Sequence, residues 1–145
     1  MGMMHDRVEE FETILMGRSC VVGSREHDST FDLSGGLSLA VSALWRIVFN
    51  GRIAFASEDD GQLFGPKSPV DGEAEACRLL KDKTITVASL DKETADLTLH
   101  FGATTRIDVF NNSTGYEGWQ ASSAVHDKRW SLIAMGGTEV AFMAE

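Results

Sequence analysis

Asn50-Gly51 stands between two apolar runs, Trp45-Arg46-Ile47-Val48-Phe49 and Arg52-Ile53-Ala54-Phe55. This dipeptide accepts the positive φ that both central residues of a type I′ turn require. The flanking β-branched and aromatic residues suit a pleated surface, so the segment has to be a tight antiparallel hairpin. The later sequence follows the same order. Ile85 and Val87 alternate with Thr84 and Thr86, Leu97-Leu99-Phe101 with Asp96-Thr98-His100, and Ile107-Val109 with Arg106-Asp108-Phe110. Short turns at 91–93 and 102–104 separate these runs, and a period of 2 interrupted this way describes an antiparallel meander. Further strands are predicted near 118–122, at 129–135 and, after Gly136-Gly137, at 138–143.

Helical spacing is confined to two places. Val8, Phe11, Ile14 and Leu15 predict an amphipathic helix over 5–16 closed by Gly17, and a short strand at 19–22 should follow. Ala76, Leu79 and Leu80 predict a second helix over 73–81, begun by Asp71 or Gly72, with Glu73, Glu75, Arg78 and Lys81 in water. Residues 24–36 are polar, end in Gly35-Gly36 and read as a loop. Gly65-Pro66-Lys67-Ser68-Pro69 reads as a joint between two halves. Arg52-Ile53 before Gly61 is echoed, 54 residues later, by Arg106-Ile107 before Gly115. Taken as a repeat, this echo suggests two similar hairpin units. The expected fold is a single α+β domain over 1–145, predominantly antiparallel sheet, with two short helices covering one side.

A chain of 145 residues that is 43% hydrophobic and 24% charged is too apolar to remain disordered. Thirteen Lys and Arg against twenty-two Asp and Glu leave a formal charge of −9, which repels phosphate backbones and anionic lipid and favours a cationic partner. Neither nucleic acid nor membrane is therefore expected as a ligand. No run approaches the ~18 apolar residues of a membrane span, and Asp6, Glu9, Glu10 and Glu12 sit where a secretory leader would be basic and then apolar. A cytoplasmic location is the expectation. Cys20 and Cys77 are too few and too distant for a metal site, and both read as small core residues.

Signatures of catalysis do not assemble. His5, His27, His100 and His126 lack metal-ligand spacing, no serine stands in a Gly-x-Ser-x-Gly turn, and Ser34-Gly35-Gly36-Leu37 lacks the lysine of a phosphate cradle. Glu58, Asp59 and Asp60 with Asp71 lack the ligand spacing of a calcium loop and read as solvated turn charges. No enzyme activity, cofactor or metal is expected. The segment from Asn111 to Gln120 differs in kind, because small polar residues and two glycines surround the only tyrosine and one of three tryptophans. Loops that present rigid aromatics supply anchors for partner proteins. Tyr116, Glu117 and Trp119 are thus candidate partner-binding residues, joined by the acidic Glu58, Asp59 and Asp60. Trp119 has a second reading, as a strand residue that plugs the core.

Asp96-Leu97-Thr98-Leu99-His100-Phe101, followed by Asn112-Ser113-Thr114-Gly115-Tyr116-Glu117-Gly118-Trp119-Gln120, resembles the signature of small bacterial proteins that include immunity proteins of polymorphic and contact-dependent toxin systems. The resemblance covers chiefly residues from Thr84 onward. It implies a non-enzymatic cytoplasmic binder that neutralises a cognate toxin by occlusion, and the net charge suits a basic, nuclease-type target. The alternative is a regulatory domain binding a small molecule or another bacterial protein. An enzyme of unfamiliar type would be signalled by His100 or His126 beside a perturbed carboxylate.

Overall fold

The computed structural model describes residues 2–65, 68–123, 130–135, 137 and 140–144. In chain order the elements are α1 (Gly2–Leu15), β1 (Cys20–Ser24), β2 (Ser29–Leu33), β3 (Leu37–Val41), β4 (Leu44–Phe49), β5 (Arg52–Ala56), a 3-10 turn (Ser57–Asp59), α2 (Gly72–Leu80), β6 (Val87–Leu90), β7 (Leu97–His100), β8 (Thr105–Phe110), β9 (Trp119–Ser123), β10 (Trp130–Ala134) and β11 (Val140–Ala144). Asn50 and Gly51, at φ 51° and 75°, turn β4 into β5 as their chemistry requires. Strands dominate, the fold is α+β, and every strand pair is antiparallel.

The strands form two sheets. One has the order β1-β2-β3-β9-β10-β11 and the other β5-β4-β8-β7-β6. Written from the opposite edge, the second is β6-β7-β8-β4-β5, which repeats the β1-β2-β3-β9-β10 part of the first with the halves of the chain exchanged, and β11 is an addition without a counterpart. Each half supplies a helix and a three-stranded meander in one sheet; to the other sheet the first half adds the hairpin β4-β5 and the second half β9-β10 with one further strand, β11. The pairing registers correspond as well: Val41 faces Trp119 where β3 meets β9, and Val109 faces Trp45 where β8 meets β4. Thr30 opposite Ala40 then corresponds to Thr98 opposite Asp108. The two helix-to-strand connectors pair with each other, Gly17 N donating to Ile85 O at 2.7 Å and Ile85 N to Arg18 O at 2.9 Å.

This architecture alters several expectations. The polar stretch 24–36 contains β2, because Phe31 and Leu33 alternate inward against Thr30 and Asp32. The strand expected at Ile85 begins only at Val87, Ile85 being the buried connector residue just described. The helices do not cover one side. α1 packs on β6 and β11, and α2 on β1, β4 and β5, so they close opposite ends of the sandwich. Each also caps an edge strand, Glu12 Oε2 accepting from Leu90 N and Glu73 Oε1 from Ser24 N, both at 2.8 Å. Such caps block pairing with another chain at those positions. The echo between Arg52 and Arg106 is not the repeat, since β5 corresponds to β10 and β8 to β3. Between β2-β3 and β7-β8 the structural repeat runs 68 residues apart, from Thr30 and Val41 to Thr98 and Val109.

Between the sheets lies one apolar core centred on Leu15, Phe31, Leu39, Ile47, Leu97, Leu99, Ile107 and Trp119. Cys20 belongs to it, and burial, with the Asp32 charge adding, pushes its thiol pKa up to about 12. Cys77, expected in the core, is exposed. One step around a helix turns a side chain by about 100°, which carries position 77 away from the buried face of Ala76, Leu79 and Leu80. None of the described helices is long and apolar enough to cross a membrane.

Candidate functional site

The chain passes from one sheet to the other twice. In the first half three residues separate Val41 from Trp45; in the second, nine separate Val109 from the equivalent Trp119. The longer crossing, Phe110 to Gly118, carries the aromatic and acidic residues picked out in the sequence. A groove of about 630 Å³ opens there, lined by Ser42 and Ala43 of the short crossing and by residues 112–118 of the long one, Thr114 apart.

Local hydrogen bonds hold the long crossing in shape. Ser113 Oγ accepts from Gly115 N and Tyr116 N at 3.1 and 2.9 Å. Gly118 O accepts from both Ser42 N and Ala43 N at 2.9 Å, tying the two crossings together. Beneath them Asn111 is buried: its N donates to Asp96 Oδ1, and its Nδ2 donates to Thr94 O and Met135 O. Among the described residues its Oδ1 has no hydrogen-bond partner, and it abuts Gly118. Above this rigid base Tyr116 is 83% exposed, and Glu117 is also exposed.

Trp119 is a correction. It is 1% exposed, stacks on Phe11 with ring centroids 5.7 Å apart, and donates from Nε1 to Ala95 O at 2.8 Å. Its counterpart Trp45 is buried likewise and donates to Ser29 Oγ. An indole that bonds inward and lies under the sheets cannot anchor a partner, so Trp119 plugs the core.

The acidic turn divides by role. Asp59 Oδ2 accepts from Ala56 N at 3.0 Å, and Asp60 Oδ1 accepts from Gly72 N at 2.8 Å, so these two side chains shape the approach to α2. Asp71 caps α2 by accepting from Ala74 N. Glu58 is exposed. No residue of the turn lines the groove; Asp60 instead lines a smaller cleft of about 160 Å³ with Trp45, Phe55 and Gly72. The structure thus keeps Tyr116 and Glu117 together and places Glu58, Asp59 and Asp60 at another site.

Other polar groups have structural work. Backbone N–H groups of Glu93 and Thr94 hold the Asp91 carboxyl below the usual range, and the Arg25 guanidinium does the same for Asp28. His27 is exposed on the β1-β2 turn, and His126 lies outside the described residues. Among the described residues no group of three or more His, Cys, Asp or Glu is arranged to hold a metal ion.

Reasoning from the sequence missed two exposed features. Leu63 and Phe64, 61% and 65% exposed, project from the loop after the acidic turn. On the outer face of the five-stranded sheet, Arg46 and Arg106 clamp Asp108 between them, with Nε to carboxylate distances of 2.9 and 3.0 Å. The alternation placed Arg106 and Asp108 on one face, but no local signal sets Arg46 opposite a residue 62 positions away. Compared with family models, curated proteins and solved structures, the chain matches none.

Proposed function

We propose that this chain is an immunity protein, a non-enzymatic binder that neutralises a basic toxin domain by covering the surface that the toxin needs. The carrying observation is the long sheet crossing. Its six surplus residues over the equivalent crossing of the first half hold Tyr116 83% exposed above an open groove, on a backbone already ordered by Ser113 and Gly118. An aromatic ring on a preorganised loop loses little freedom on binding, which is the property of an interface anchor. The net charge of −9 supports a cationic partner, with Glu117 beside the anchor and Glu58 as a remote steering charge.

The test is co-expression with each protein encoded beside this chain, followed by binding kinetics on any pair in which growth is rescued. Tyr116→Ala should accelerate dissociation at least tenfold, a loss of about 1.4 kcal/mol. Glu58→Lys with Glu117→Lys should slow association at low salt and leave the fold intact. A neighbour that binds with unchanged kinetics in both variants would remove this loop from the interface, and the absence of any binding neighbour would end the immunity reading. A small molecule retained through purification and lost on Tyr116→Ala would favour the regulatory alternative, since the groove is within the size range of ligand sites.

A further inference from the structure

Neither described helix covers the outer face of the five-stranded sheet, since both pack against the core at the sandwich ends. Ala56, Arg46, Asp108, Thr98 and Ser89 lie in one cross-strand row, and Ile53, Val48, Arg106, His100 and Val87 in the next. Asp108 is 8% exposed even though its face is open, because the two guanidiniums enclose it. Both of its oxygens are occupied through the Nε atoms. Among the described residues the Nη groups of neither arginine take part in a hydrogen bond. Arg46 also lies 5.1 Å over the Phe110 ring. Two arginines and one aspartate leave a local cationic excess on a chain whose net charge is −9.

The repeat supplies a comparison within the molecule. On the six-stranded sheet the corresponding places hold Ala40 for Asp108, Ser38 for Arg106, Gln120 for Arg46 and Asp32 for His100. Those four places hold three uncharged residues and one acid, on the same register. The same topology and register therefore form on the other sheet without a charged triad at this position. A carboxylate clamped by two arginines orders both guanidiniums before any ligand arrives, so binding there loses little side-chain freedom. A guanidinium presents paired donors suited to a carboxylate. At the margins Ile53 is 60% and Val87 50% exposed, giving the charged centre an apolar border.

We propose that this face docks an acidic polypeptide segment of a partner protein, with Arg46 and Arg106 holding its carboxylates and Ile53 and Val87 meeting its apolar residues. The site is separate from the long crossing and stands whether or not the immunity reading holds. Charge complementarity chooses the occupant: the excess is local and small, enough for a few carboxylates, while the acidic remainder of the chain repels a polyphosphate.

The test is an amide shift titration of the intact isotopically labelled protein with a short peptide alternating glutamate and leucine. Its glutamine-for-glutamate counterpart and inorganic phosphate serve as separate arms. The acidic peptide should move amides of residues 46, 98, 100, 106 and 108, and the glutamine peptide should not. Arg46→Gln or Arg106→Gln should weaken binding at least tenfold. Thr98→Glu, which leaves the triad untouched on a half-buried position, should weaken it as well and guards against arginine variants that fail to fold. Equal shifts from the glutamine peptide, equal shifts from phosphate, retained affinity in the folded variants, or silence at these amides would each overturn the proposal.

Discussion

Gly118→Ala should damage the protein far more than the loss of one hydrogen atom suggests. A Cβ built on Gly118 falls 2.2 Å from Asn111 Oδ1 and 3.1 Å from its Cγ. The backbone there lies outside the left-handed region, so alanine is not excluded by φ and the whole effect is steric. Moving the Asn111 amide breaks the bonds from Nδ2 to Thr94 O at 2.9 Å and to Met135 O at 3.2 Å. Two such bonds contribute about 1 kcal/mol each, and stranded acceptors together with overpacking bring the cost to roughly 3 kcal/mol. In a chain of this length about 3 °C of Tm accompanies each kcal/mol, so the midpoint should fall by roughly 9 °C. A double-mutant cycle isolates the cause. Asn111→Ala already forfeits both bonds and opens the space, so adding Gly118→Ala to it should cost little, a coupling of about 3 kcal/mol. A Gly118→Ala protein melting within about 1 kcal/mol of the parent, or single effects that add, would refute the account.

Gly51→Val should cost about 1–2 kcal/mol, because φ is 75° there while a new Cβ meets nothing within 4 Å; Gly51→Asn should recover most of the lost Tm, and equal melting of all three proteins would show that the turn tolerates β-branching. Exposed Cys77 should react with an aromatic disulfide reagent in the folded protein, whereas Cys20, buried and held as a thiol up to a pKa of about 12, should react only at the rate of unfolding; two thiols of equal rate would contradict the packing around β1.

Much of the strand content was legible because alternation is a local property. Leu97, Leu99, Ile107 and Val109 point inward for the reason their spacing suggests, and Asn50-Gly51 turns where its φ preference demands. What was not legible is non-local. A period of 2 states which side chains share a face but not which strand lies beside them, so nothing near Leu37 indicates that β3 will pair with β9. β2 was hidden because five alternating residues sit between a charged turn and Gly35-Gly36. The repeat was hidden by divergence: from 29–41 to 97–109 only Thr30 with Thr98 and Val41 with Val109 are identical, and apolar character is kept at Phe31 with Leu99, Leu33 with Phe101 and Leu39 with Ile107 but not at Leu37 with Thr105. The Arg-Ile echo was more visible and carried no structural equivalence. At the site, the exposure of Tyr116 followed from its polar surroundings, but burial of Trp119 required knowing that Phe11 and Ala95 O converge on its indole.

A sandwich that builds one topology twice separates what the fold needs from what it permits. Where the halves agree, as at Val41 and Val109 or Trp45 and Trp119, apolar side chains meet between the sheets and packing explains them. Besides the extra edge strand β11, two differences belong to β8 and its exit. Its outer face replaces Ser38 and Ala40 of β3 with Arg106 and Asp108, and its exit replaces a three-residue crossing with one of nine. Phe110 links the two, since it lies under Arg46 at 5.1 Å and immediately precedes the buried Asn111. From Asp108 to Asn112 the chain spans at most about 14 Å. The divergent chemistry of the outer face and of the crossing is thus gathered along β8 and its exit, while the counterpart strand β3 stays plain.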